Sequence, residues 1–313
     1  MSELTFSLFG LLLVVSAAFG LVNWAMRANK GDKAAIMGLY LLFGMPGILL
    51  FVAGLALVVN GTEGGWFAIG LGLGFSLPLL KPLRQLLARV TPIDPDSPID
   101  YSGLAILLSV SAFLFFSLVL SDEPVEIQAT EASDIVPSLI INLMAFLALA
   151  YIAVGYRNYR NGEEATARLG LWKPTQQEVI VGLVAVIPAF ILSMIGSVLT
   201  GVLQPEVVDR LGENIDNLTA GVQNPLGALL LGLSAGIGEE VLFRGALQPR
   251  FGIFLTTLLW VLLHTQYELT WVMLGLALMG ILLGYIRNRY GTVAAIITHA
   301  TYNALVVLLQ MAI

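Results

Sequence analysis

Ten apolar stretches follow one another along this chain, at roughly 5–26, 35–59, 66–80, 103–120, 135–155, 178–200, 225–247, 252–267, 270–286 and 291–312. Each is long enough, or nearly so, to cross a hydrocarbon core of about 30 Å as a helix. Lipid offers no partner to a backbone N–H or C=O, so stretches of this length and uniform apolarity span as helices that satisfy themselves. The expected fold is an all-α polytopic membrane protein with about ten transmembrane helices. Charge supports this: 12% of the residues are charged, against about 25% in a soluble domain.

The same pattern excludes several classes of function. There is no cysteine, hence no disulfide framework and no thiolate chemistry. The formal net charge of −6 comes from acids gathered in a few loops, and no basic run offers a nucleic acid a surface. Met1-Ser2-Glu3 lacks the positive start of a secretory signal, and the run from Thr5 to Met26 exceeds a signal's apolar core. That run is read as the first spanning helix.

Lys and Arg set the expected orientation, because cytoplasmic loops carry them in excess. Arg27, Lys30 and Lys33 follow the first span, and Lys81, Arg84 and Arg89 the third. Arg157, Arg160, Arg168 and Lys173 follow the fifth, Arg250 the seventh, and Arg287 and Arg289 the ninth. The alternate loops hold only Arg210, and one of them, DEPVEIQATEASD, is purely acidic. Both termini and the sequons at Asn60 and Asn217 are therefore expected outside, with the basic loops in the cytoplasm and the protein in the plasma membrane.

The chain is expected to divide in three. Residues 1–155 form an N-terminal membrane bundle of about five helices with almost no intramembrane charge. Residues 156–177 form a cytoplasmic connection, and 178–313 a second membrane domain whose motif core is 225–313. No internal repeat is evident, which speaks against inverted-repeat transporters.

Ionisable side chains are costly inside a bilayer and usually serve a function there. Here they collect in the motif core. Glu239, Glu240 and Arg244 lie in LGALLLGLSAGIGEEVLFRGALQ, His264 ends FLTTLLWVLLH, and His299 lies in TVAAIITHATYNALVVLL. Glu240 and Arg244 are four residues apart with the acid first, the favourable order for an ion pair on one helix face. Glu239 points about 100° away, which leaves it for base chemistry while Glu240 and Arg244 support the site. His299 and Asn303 share a face at i,i+4 and can both donate to an oxyanion, and His264 can join Glu239 in orienting a water. Counted from the cytoplasmic helix ends, Glu239 and His299 sit about 12–14 Å deep and His264 about 20 Å. Gly232 and Gly236 form one GxxxG, and Gly280 and Gly284 another. Both are read as ordinary close packing of membrane helices, and Trp260 as a packing aromatic. Bland readings also exist for the polar groups: a structural ion pair, and histidines that merely bond neighbouring helices.

These residues resemble the motifs of the CPBP family, the CAAX-protease and bacteriocin-processing group of membrane proteases: EExxxR, FxxxH and HxxxN. They read here as Glu239-Glu240-Val-Leu-Phe-Arg244, Trp260-Val-Leu-Leu-His264, with Trp in place of Phe, and His299-Ala-Thr-Tyr-Asn303. Arg168-Leu-Gly-Leu-Trp-Lys-Pro-Thr175 is similar to the family's lead-in, so the resemblance covers about 168–313. It implies an intramembrane endopeptidase, built as a catalytic helical bundle in the C-terminal half. The substrate would be a membrane-associated protein or peptide, in some members a prenylated CAAX terminus. Glu239 and His264 would activate the water, His299 and Asn303 would stabilise the oxyanion, and Glu240 and Arg244 would support them. The family is often labelled metalloprotease. Glu239, His264 and His299 would then supply a His₂Glu site for one Zn²⁺, with Glu240 as base; the alternative uses no metal. Two other classes of function compete: an ion- or proton-coupled transporter using the same groups as a relay, and a non-catalytic membrane adaptor or immunity protein.

Overall fold

A computed structural model describes residues 3–121 and 124–312 of the chain. Met1 and Ser2 of the signal-peptide argument, and Asp122 and Glu123 of the acidic loop, lie outside the described residues. Every regular element described is helical: α1 Glu3–Asn29, α2 Lys33–Val59, α3 Gly65–Ser76, α4 Lys81–Leu87, α5 Pro98–Val119, α6 Ala132–Ala153, α7 Gly162–Leu169, α8 Gln176–Val184, α9 Val186–Leu203, α10 Val208–Thr219, α11 Pro225–Glu240, α12 Gln248–Leu262, α13 Val272–Tyr290 and α14 Thr292–Gln310. A π-helical stretch, Val241–Leu247, joins α11 to α12.

Among the described residues eight helices are long and apolar enough to cross a membrane, with α8 and α9 counted as one and 225–262 as another. The difference from ten lies in two places. The third expected span is a pair of helices bent by 87°, where Leu80 leaves helical geometry (φ −79°, ψ 110°) just before Lys81-Pro82. The seventh and eighth are helical together from Pro225 to Leu262, but Gly252 interrupts them at φ 79°, a conformation that costs little only without a Cβ. The eighth helix also ends at Leu262 rather than 267. Thr265–Tyr267 turn as a short 3₁₀ helix instead, which moves His264 off the helix and onto the link after it. Large apolar side chains line the outside of these helices: Leu12 is 65% exposed, Ile187 64% and Val202 71%. Water would not tolerate so much contiguous apolar surface, and the chain is a multi-pass integral membrane protein.

The contacts group into two compact units. One comprises residues 19–124 with 249–265. Its core packs Leu39 and Phe43 of α2 against Leu79, Tyr101 and Ala105. It also buries an arginine and an aspartate. Arg84 donates to the carbonyls of Pro78 and Pro95 (2.7 and 2.6 Å) and lies over the Tyr101 ring. Asp100 accepts from Asp94 N and Ser97 Oγ and pairs with Arg250.

The other unit comprises residues 1–18, 125–248 and 266–313. Here α11 packs against α14 and α6, and α13 against α9 and α14. Asn224 caps α11 by accepting from Gly227 N at 2.9 Å, with Pro225 in its first turn. Gly291, at φ 106°, makes the reversal from α13 into α14 within one residue.

Candidate active site

The site of this second unit is built on the contact between α11 and α14. A Cβ at Gly232 would lie 2.4 Å from the carbonyl oxygen of Ala300, and one at Gly236 2.6 Å from the Ala300 nitrogen. The first GxxxG is thus the helix-packing face expected of it, and it lets the two backbones touch. One turn beyond Gly236, that approach brings Glu240 to His299. Glu240 Oε1 stands 2.8 Å from His299 Nδ1, and Arg244 Nε is 3.3 Å from Glu240 Oε2. The three side chains are almost wholly enclosed, at 0%, 1% and 3% exposure for Glu240, Arg244 and His299. Enclosed charge is tolerable only when paired and hydrogen-bonded, and here one carboxylate faces two cationic or protonatable partners.

The pairing of Glu240 with Arg244 follows from their spacing; the bond to His299, 59 residues away, has no local signal. Nor does the helix type. Arg244 sits in the π stretch, a wider turn with i→i+5 hydrogen bonds that is rare and recurs at functional sites. The π stretch delivers Arg244 and Gln248 to the second GxxxG: Arg244 Nη2 donates to Gly280 O at 3.2 Å and Gln248 Nε2 to Gly284 O at 2.9 Å. Those glycines supply carbonyl acceptors as well as close approach. On the other side of the stretch, Phe243 meets the edge of Phe146.

Glu239 is only partly buried, unlike Glu240 beside it, as expected for neighbours about 100° apart on a helix. It lies near enough to His299 for their charges to interact. Asn303 follows His299 by one turn of α14 and is also partly exposed.

His264 belongs to the first-described unit, on the link after α12. Its Nδ1 is 2.8 Å from the carbonyl oxygen of Trp260. A carbonyl can only accept, so Nδ1 carries the proton and Nε2 keeps a lone pair in the neutral ring. The Trp260 indole is 1% exposed and meets the imidazole edge-on at 4.6 Å, as a packing aromatic should.

Among the described residues no three His, Asp or Glu side chains are grouped as a metal ion would require. Glu239, His264, His299 and Asn303 offer acid, base and hydrogen-bond donor chemistry.

Residues 221–305 match the family described as type II CAAX prenyl endopeptidase Rce1-like. No curated protein and no solved structure matches the chain. The matched segment contains Glu239 to Arg244, Trp260 to His264 and His299 to Asn303, and it supports the resemblance of this part of the chain to the CPBP family.

Proposed function

We propose that this protein is an intramembrane endopeptidase that hydrolyses a peptide bond in membrane-associated or lipidated (CAAX-type) substrates. The observation that carries the reading is the enclosed sequence Arg244–Glu240–His299. A carboxylate bonded to one imidazole nitrogen fixes the ring and aims the other, as the aspartate does in hydrolytic triads. Glu240 and Arg244 are then positioning residues.

In this reading Glu239 and the Nε2 of His264 take a proton from water as its oxygen attacks the scissile carbonyl carbon. A C–O bond forms and the carbonyl oxygen becomes an oxyanion. His299, as an imidazolium held by Glu240, donates to it through Nε2 together with the Asn303 amide. The C–N bond then breaks, and the proton taken from water leaves on the amine. General-base catalysis is worth about 10²–10⁴-fold and each oxyanion donor about 10²–10³-fold. The basic-loop pattern favours a site opening to the cytoplasmic half of the plasma membrane.

The test is cleavage of a lipidated peptide by the purified protein in proteoliposomes. Glu239→Ala and His264→Ala should each abolish turnover while gel-filtration profiles stay unchanged, and exhaustive chelation should leave wild-type turnover intact. Wild-type turnover by either variant refutes the assignment. Glu239-dependent ion flux without cleavage would assign the same residues to transport.

A further inference from the structure

A cavity of about 380 Å³ lies among α9, α10, α13 and α14, within the unit that holds Glu239 and His299. One wall is a stripe of hydroxyls: Ser193, Ser197 and Thr200 stand at i, i+4 and i+7 on α9, a single face of the helix. Ser193 Oγ donates to Phe190 O and Thr200 Oγ1 to Gly196 O, each at 3.0 Å. A hydroxyl that donates to its own helix keeps acceptor lone pairs for the cavity. Tyr302, hydrogen-bonded to Ser193, lies at the inner end, and Gln310 and Asp216 lie at the mouth, 3.4 Å apart. From Gln310 back to Tyr302 is eight residues of α14, or about 12 Å of depth. The opposite wall is α10, which turns Leu211 and Ile215 to the cavity. Its polar side is tied down. Asn214 Oδ1 accepts from Ile127 N at 2.9 Å, Asn217 Nδ2 donates to Ile127 O at 2.8 Å, and Arg210 pairs with Glu268 at 2.8 Å. The cavity is therefore a fixed feature of the fold and not a gap between sliding helices.

The lining decides what occupies it. Hydrocarbon offers nothing to a wall of hydroxyl oxygens, and burying polar groups against it is costly. Water needs room and two to four polar partners, and this cavity supplies both, with space for on the order of ten molecules. Helices α9 and α14 reach this end of the unit at Leu203 and Gln310, so the mouth lies at a membrane–water boundary and the inner end within the hydrocarbon layer. There Tyr302 sits on α14 between His299 and Asn303. Peptide hydrolysis consumes a water for each bond cut, and the bilayer core holds none. We propose that this cavity is the aqueous route by which the hydrolytic water reaches Glu239, His299 and Asn303. The inference rests on the endopeptidase reading and adds to it a direction. The mouth opens on the face expected to be outside, so water and substrate enter from opposite sides of the membrane.

The chain has no cysteine, so a single introduced thiol reports on its own surroundings. The thiolate is the reactive form, and apolar surroundings suppress it. The full-length variants Ser193→Cys and Ser197→Cys, with Val198→Cys as the outward-facing control beside them, are reconstituted in proteoliposomes and treated with a membrane-impermeant cationic methanethiosulfonate. The two serine positions should label at least about tenfold faster than the control. Once Ser197→Cys is fully modified, its kcat for a lipidated peptide should fall about tenfold with KM unchanged, and reduction with dithiothreitol should restore turnover in the same sample, which a misfolded protein would not do. Labelling at both serine positions no faster than at Val198→Cys overturns the aqueous cavity. Fast labelling with turnover intact after full modification overturns its role as the route. A wild-type protein that cleaves no peptide fails the endopeptidase reading, and the route with it, whatever the labelling shows.

Discussion

Each of the two units encloses an ionic cluster, and the two are built for different ends. Around Arg84 and Asp100 the partners are carbonyls of Pro78 and Pro95, a backbone N–H, a serine hydroxyl, a tyrosine face and Arg250. No histidine is among them, and the cluster fastens the turn between α4 and α5. Around Glu240 the partners are Arg244 and His299, and histidine is the side chain whose charge ordinarily changes between pH 5 and 8. Buried charge in a membrane protein is therefore not itself a functional signature. What distinguishes the second cluster is a protonatable ring bonded to an enclosed carboxylate.

The contrast can be broken most forcefully at Glu240. Glu240→Gln removes the charge that orients His299 and leaves Arg244 without its carboxylate. Turnover should fall by about 10²–10⁴-fold, in the range seen when the aspartate of a triad is replaced, with KM nearly unchanged. A kcat within threefold of wild type would remove the distinction between the clusters. Asp100→Asn should do the reverse. It should cost about 1–3 kcal/mol of stability, the penalty for a buried hydrogen-bonding group that loses part of its partnership, read as a lower melting temperature in detergent. The kcat of the folded fraction should stay within twofold; a catalytic loss comparable to that of Glu240→Gln would mean that both clusters serve the chemistry. The smallest effect is expected at Trp260→Phe, which restores the family's own aromatic. His264 is held by the backbone carbonyl of residue 260, not by the indole, so kcat should change less than threefold. A larger loss would assign the ring a part in orienting His264.

The sequence makes some of this legible because some of it is local. Spanning helices follow from runs of apolar residues, the Glu240–Arg244 pair from a spacing of four, and a close-packing face on α11 from Gly232 and Gly236. The rest depends on things a one-dimensional pattern does not encode. The Glu240–His299 bond joins residues 59 apart, and helical periodicity says nothing about which helices become neighbours. The π stretch arises from backbone hydrogen bonding in a segment whose composition suits an α-helix equally well. The end of α12 was hidden for the opposite reason. Apolar residues run on to His264, but the chain closes Thr265–Tyr267 into a 3₁₀ turn. The buried Arg84 and Asp100 escaped notice because they sit where loops were expected, and α5 starts earlier, at Pro98.

A π turn holds one residue more than the α turn it replaces. The stretch from Val241 to Leu247 is therefore a register offset stored in the helix. Relaxing it to α geometry would swing the side chains after it by about 100° for each residue absorbed. Arg244 and Gln248 would leave the carbonyls of Gly280 and Gly284, to which they now reach across 3.2 and 2.9 Å. Those two hydrogen bonds act as the pawl of a ratchet: with them closed, the slack stays in the helix, and Arg244 is kept where Glu240 can hold it.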